Sequence, residues 1–272
     1  IKYYVVGMYS SSAAVGQDYK NANYFSNGNA FASTAAENTS NRTTEVIIPS
    51  VHNGKKVISV APKSFFNYNG SNLGKRVTTI YVGQQIEVLT SSCFRGLSGL
   101  TSVTLPNTIT RIEAGALSWI ASSANPIAIT IPKSVSSIDY SAFRTSYIKN
   151  FYVDAENAKF KQLDVGTNKG VALLGGKNSS GNYTVLCFYA TANAATSFTV
   201  PSYISWIYGT AFECDYKLQS ILVESGNTSF ASVDGVLYGK SSDDGDYFSL
   251  YHYPAGKTGD SYTAVTSVTM NG

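Results

Sequence analysis

Residues 128–143 read AITIPKSVSSIDYSAF, with one proline and no reactive group that would explain their order. Set against 102–117, SVTLPNTITRIEAGAL, and 197–212, SFTVPSYISWIYGTAF, the apolar positions fall into columns without a gap. A fourth copy, 79–94, TIYVGQQIEVLTSSCF, keeps the columns with Gly83 in place of proline. A fifth starts EVIIPS at Glu45, takes the short insertion HNGKK, and restores the columns in VISVAPKSF through Phe65. Self-similarity at a fixed spacing is the mark of a repeat architecture and has to be settled before any residue is read as functional.

Each copy opens with strict alternation, Val103 and Leu105 or Ile129 and Ile131, the period of a strand with one buried face. Pro106, Pro132 and Pro201 then stand where pairing should end, because proline has no N–H to give a ladder. Two apolar residues three apart follow, Ile109 and Ile112 or Val135 and Ile138. A small and a large residue close the unit: Ala116-Leu117, Ala142-Phe143, Ala211-Phe212. No unit this short can bury its own columns, but stacked copies bury one another's. A mostly-β repeat solenoid is therefore expected, with the serines on the outer face or in turns.

The strand ends Ile48, Val82, Leu105, Ile131, Val153, Val200, Val223 and Met270 mark candidate rungs, and two of the gaps between them are about twice the others. Both gaps hold related segments. VDAENAKF (153–160) matches VESGNTSF (223–230), and each leads to a Gly-Val pair and two β-rich arms around a glycine-containing turn, which predicts a hairpin inserted between coils.

The pattern I-P-x-x-V-x-x-I-x-x-x-A-F, joined to V-x-x-x-N-x-x-F and to a G-V-L-Y hairpin ending Y-P-A-G-K (Tyr253 to Lys257), resembles the BspA-type leucine-rich repeat family over roughly residues 45–272. The resemblance implies a right-handed leucine-rich-repeat superhelix with a curved parallel sheet and inserted β-hairpins. It further implies a secreted or surface-anchored protein of mucosal bacteria or protists, serving binding or adhesion, with no catalytic motif to carry over. Residues 1–44 match no coil and are expected to form an N-terminal cap, with IKYYVVGMY as its strand. The chain opens at Ile1 and ends in SVTMNG, a half-finished unit; both ends read as cut, and the last strand is expected to leave an open edge available for pairing with another chain.

Composition agrees with a surface location. Apolar residues make up 43% and aromatics 13% of the 272 residues, whereas charged residues reach only 14%, well under the usual quarter. The net charge of +3 is scattered, Lys55-Lys56 and Lys75-Arg76 being the densest pairs, so no phosphate-tracking stripe points to nucleic acid. No run approaches 18 apolar residues, and no membrane insertion is expected of this segment. Cys93, Cys187 and Cys214 have neither disulfide-framework nor zinc spacing and are expected to be small buried residues.

Candidate chemistry is sparse. His52 and His252 have no second ligand at metal spacing, and neither H-E-x-x-H nor G-x-S-x-G occurs. Asp243, Asp244 and Asp246 lack the rest of a calcium loop and suit a tight turn. No cofactor, metal or catalytic residue is expected. A stacked-sheet polysaccharide enzyme is the remote alternative, but it needs acids on one sheet face. The outward column here, Ile47, Tyr81, Thr104, Thr130, Tyr152, Thr199, Leu222 and Thr269, is uncharged. That column is a candidate binding surface, although Thr and Tyr also suit strands in their own right. A second candidate is SYISWIY (202–208), where Tyr203, Trp206 and Tyr208 replace residues that are polar in sister coils; they could anchor a partner or pack under the preceding hairpin. The expected function is a non-enzymatic extracellular or cell-surface module binding a host or neighbouring-cell protein or glycan, with a carbohydrate-binding or spacer segment as the alternative. Six N-x-S/T sequons occur, at Asn38, Asn41, Asn69, Asn178, Asn182 and Asn227.

Overall fold

The structure is a computed structural model and describes residues 2–4, 44–52, 54–65, 72–240, 248–259 and 261–265. Two compact units divide the chain: Ile1–Tyr147 with Val153–Ala158, and Ile148–Tyr152 with Lys159–Gly272. The first contains β1 (Lys2–Tyr4), β2 (Thr44–Ile47), β3 (Val51–His52), β4 (Lys55–Lys56), β5 (Ser59–Val60), α1 (Asn72–Arg76), β6 (Val77–Tyr81), β7 (Val88–Leu89), β8 (Ser102–Thr104), β9 (Arg111–Ile112), β10 (Ile127–Ile131) and β11 (Ser137–Ile138).

The expected stacked coils are present. In the first unit β1, β2, β6 and β8 pair in parallel, in that order, which sets Tyr3, Val46, Ile80 and Val103 in one row. Each turn closes as the prolines predict: the N–H groups of Ile109 and Val135 donate to the carbonyls of Pro106 and Pro132, and Ile86 does the same to Gly83. A second parallel sheet, not foreseen from the alternation, then runs β11, β9, β7, β5 and aligns Val60, Leu89, Ile112 and Ile138, all buried. Its strands are two residues long, too short to carry a period-2 signal. The remaining side bonds coil to coil as well, the N–H groups of Phe65, Phe94 and Leu117 donating to the carbonyls of Cys93, Ala116 and Ala142.

The hydroxyl residues do more than decorate the outside. Thr108 and Ser134 occupy one column and donate to the carbonyls of Ile86 and Ile109 in the coil before, at 2.7 and 2.6 Å. Thr110 and Ser136 repeat this in the next column at 3.2 Å. Serine and threonine therefore tie coils together beside the Ile, Val, Ala and Phe columns, the second column sharing carbonyls that already accept backbone N–H groups. The insertion HNGKK forms a small antiparallel pair, β3 with β4.

The second unit contains β12 (Ile148–Val153, its last residue counted with the first unit), β13 (Lys161–Val165), β14 (Asn168–Lys177), β15 (Tyr183–Tyr189), β16 (Ser197–Val200), β17 (Trp206–Ile207), β18 (Ser220–Val223), β19 (Phe230–Val233), β20 (Val236–Lys240) and β21 (Phe248–His252). Each predicted hairpin acquires a third strand in front, giving the meanders β13-β14-β15 and β19-β20-β21. The first meander is also a working part of the stack. Its return arm β15 pairs in parallel with β17, Leu186 facing Ile207, and both residues are buried in a core shared with Leu174, Phe212, Leu218 and Leu237. Gly170, near the start of β14, and Gly235, just before β20, have φ of +62° and +75°, and a Cβ on either would collide with Phe151 or Ser220. That is the reason for the Gly-Val pairs.

The recurring asparagine has a specific task. Asn157 is buried and its Nδ2 donates to the carbonyls of Pro132 (2.7 Å) and Val135 (3.0 Å). Seventy residues on, by 227 minus 157, Asn227 donates to Pro201 (2.9 Å) and Ile204 (3.0 Å) in the same way. Each amide thus closes the proline turn of the preceding coil from below. With its Nδ2 engaged and only 4% of its surface exposed, Asn227 is not open to glycosylation in the folded chain. Asn178 and Asn182 lie exposed in the β14–β15 turn; Asn38, Asn41 and Asn69 lie outside the described residues.

Candidate functional site

The outward column faces solvent in both units. In the first, Ile47, Tyr81 and Thr104 share a row across β2, β6 and β8, with Tyr81 44% exposed, and Thr130 is exposed on β10. In the second, Tyr152 is exposed on β12, and Thr199, half-buried, sits opposite the exposed Leu222 across β16 and β18. Thr269 and Met270 lie outside the described residues. Every described member of the column is uncharged, so the face offers area and hydroxyls without the desolvation cost that buried charges impose.

The aromatic segment 202–208 does not form one cluster. Trp206 is 60% exposed on β17 and Tyr203 46% exposed in the turn that Ile204 closes onto Pro201. Tyr208 instead packs on the second unit's core with its ring edge-on to Phe188 at 6.2 Å, under the meander.

Tyr203 borders a groove of about 600 Å³ lined also by Lys161, Gln162, Asp164, Asn182 and Tyr183. All three strands of the first meander, the β14–β15 turn and the turn after Pro201 build it. Asp164 accepts hydrogen bonds from the Gly170 N–H at 2.8 Å and the Gln162 amide at 2.9 Å, and pairs with Lys169 at 3.2 Å. Against partial desolvation, which opposes it, these donors hold the Asp164 carboxyl below its ordinary range. Lys177 places its Nζ 4.6 Å from the Tyr183 ring centroid. Burial, and then the Glu224 carboxylate, push the Tyr203 phenol up.

His252 has an acidic partner that spacing along the chain could not reveal. Its Nε2 lies 3.0 Å from Oδ2 of the buried Asp215, whose Oδ1 accepts the Ala255 N–H at 3.1 Å. The imidazole also lies 5.3 Å from the Phe212 ring. Among the described residues no hydroxyl hydrogen-bonds to His252, so the arrangement joins β21 to the turn after Phe212 and presents no nucleophile. Nearby, the Tyr189 hydroxyl is buried with no hydrogen-bond partner among the described residues. Cys93 and Cys187 are buried as expected, whereas Cys214 is half-buried. Burial pushes the Cys93 thiol far up and the Cys187 thiol up to about 12. No group of three or more His, Cys, Asp and Glu that could hold a metal ion occurs among the described residues, and no helix among them is long and apolar enough to cross a membrane. The side chain of His52 and the residues Asp243, Asp244 and Asp246 lie outside the described set.

Stacked parallel coils closed by proline turns define a leucine-rich-repeat β-solenoid. Residues 71–163 match the family model described as "BspA type Leucine rich repeat region", in 6 copies. The match is narrower than the 45–272 over which the motifs run. Among solved structures, the pneumococcal vaccine antigen PcpA is similar with a TM-score of 0.54 and 16% identity, over 75% of this chain and 51% of that one. A leucine-rich repeat protein from Eubacterium ventriosum ATCC 27560 gives 0.48 and 17%, over 68% and 48%. A leucine rich cell surface protein from Faecalibacterium prausnitzii A2-165 gives 0.48 and 17%, over 70% and 63%. This chain spans about half the length of the first two and under two thirds of the third, and at 16% identity the likeness to the pneumococcal antigen is one of fold. No curated protein matches the sequence.

Proposed function

We propose that the chain is a non-catalytic repeat module of a cell-surface or secreted protein, and that it binds a host or neighbouring-cell macromolecule through its outward sheet faces. The observation that carries this reading is the uncharged outward column, with Tyr81, Thr104, Thr130, Tyr152 and Leu222 exposed. Exposed tyrosine joined to threonine supplies apolar area and hydrogen bonding at small entropic cost, the composition of recognition surfaces. Catalysis on the same faces lacks support, since the column holds no carboxylate to serve as acid or base. A surface location is supported by the family match and by the named character of the pneumococcal antigen.

The test is binding of this chain to immobilised extracellular-matrix proteins and to epithelial cells. Tyr81→Ala with Thr104→Lys, and separately Tyr152→Ala, are expected to lower affinity at least about tenfold while thermal stability is kept; this loss is the size expected for central interface residues. Unchanged attachment of both variants, or no attachment by the parent chain, overturns the reading.

A further inference from the structure

The groove beside Tyr203 shares no lining residue with the outward column. It occupies about 600 Å³, within the range of small-molecule sites. Two tyrosines line it, Tyr183 and Tyr203, together with the side-chain amides of Gln162 and Asn182. Aromatic faces with neighbouring amides suit a polyhydroxylated ring, whose C–H faces pack on the aromatics while its hydroxyls exchange hydrogen bonds with amide groups.

The charge around the groove decides the kind of saccharide. Asp164 in the lining is already matched by Lys169, the Gln162 amide and the Gly170 N–H, and outside the lining Glu224 accepts the Ser202 N–H at 2.8 Å beside Tyr203. Lys161 lines the groove, and Lys177 is placed over the Tyr183 ring. An acidic sugar would meet Glu224 next to its stacking platform, and an aminosugar cation would meet Lys161. Both like-charge encounters disfavour binding. Asn182 is exposed in the turn and among the described residues its side chain makes no hydrogen bond, so its donors and acceptor are available.

We propose that this groove is a subsite for neutral saccharides, with Tyr203 as the stacking platform and Asn182 as a hydrogen-bonding partner. The site is fully contained in the second unit and does not depend on the sheet-face reading.

The experiment is a calorimetric titration of this chain with cellotetraose, mannotetraose, xylotetraose and N-acetylchitotetraose, set beside sialyllactose and a heparin tetrasaccharide. At least one neutral oligosaccharide is expected to bind with a dissociation constant under 1 mM. Tyr203→Ala and, independently, Asn182→Ala are expected to weaken it at least about tenfold, whereas Tyr81→Ala leaves it within twofold. Both groove residues are exposed, so the variants should keep the parent's thermal midpoint; saturation-transfer contacts between the sugar ring protons and the parent protein's tyrosines supply a readout that needs no variant. No neutral saccharide bound, binding confined to the acidic pair, or neutral binding indifferent to both groove variants would each overturn the assignment. Loss of matrix-protein attachment in Tyr81→Ala with saccharide binding intact would separate this site from the sheet face.

Discussion

At the scale of single residues, the buried asparagines are the most consequential feature. Asn227 donates to Pro201 and Ile204 and accepts from the N–H groups of Ser229 and Phe230; the Pro201 carbonyl keeps the Ile204 N–H, so Asn227→Ala strands three backbone groups. The expected cost is about 3 kcal/mol or more in a urea unfolding titration, from the penalty for unsatisfied buried groups. Asn227→Asp keeps the two acceptor contacts but cannot donate to the carbonyls, and should fall most of the way to the alanine value. The thiols differ by exposure. Cys93 and Cys187 are buried with raised pKa, so both stay protonated and shielded at pH 8 and are poor nucleophiles. Iodoacetamide at that pH should label one thiol rapidly, Cys214, and reach three only after denaturation; fast labelling of Cys187 in the native chain would contradict the burial described.

Elements obey the same repeat, but each coil adapts it locally. The position two past the closing large residue takes positive φ in four coils, at Gly96 (+87°), Trp119 (+60°), Thr145 (+57°) and Cys214 (+67°). Stacking imposes that conformation even where L side chains resist it. Gly83 shows the converse. Sister coils carry proline there, which makes Gly83→Pro look like a harmless consensus change. A Cβ at this position would lie 2.6 Å from the Ile48 carbonyl oxygen and 2.7 Å from Pro49 C and Ser50 N. Gly83→Pro should therefore destabilise by about 1–3 kcal/mol, the usual cost of overpacking, measured as a lower urea midpoint at unchanged slope. A rise in midpoint would mean that the coil before it shifts freely.

Across the whole molecule, each rung is held chiefly by the two that flank it, so a defect should spread by neighbours. Leu89 is fully buried in a row with Val60 on one side and Ile112 on the other, and Ile138 lies one rung further. Leu89→Ala is expected to cost about 2–5 kcal/mol. Hydrogen exchange should quicken most at β5 and β9, with less effect at β11. Equal loss of protection along the row would show the unit unfolding as one block.

Periodicity alone determined the stacked coils, the proline turns, the buried Ile, Val and Ala-Phe columns and the uncharged outward column, because a coil's inward and outward positions recur at fixed offsets and apolar burial is written at each of them. The V-x-x-x-N-x-x-F match located both turn-closing asparagines, though not what they bond. Tertiary structure decided the rest. The second parallel sheet is made of two-residue strands that leave no local pattern, and hydroxyls read as outer-face residues proved to cross between coils because a neighbouring carbonyl lies beneath them. Asp215 and His252 meet across 37 residues without a periodic signal. Tyr208 turned inward onto Phe188 while Tyr203 opened onto a groove, since the meander that covers one and borders the other is set by strand pairing distant in sequence. Contacts between residues that share no period arise only when the chain is folded, and in this protein they are the contacts that shape its groove.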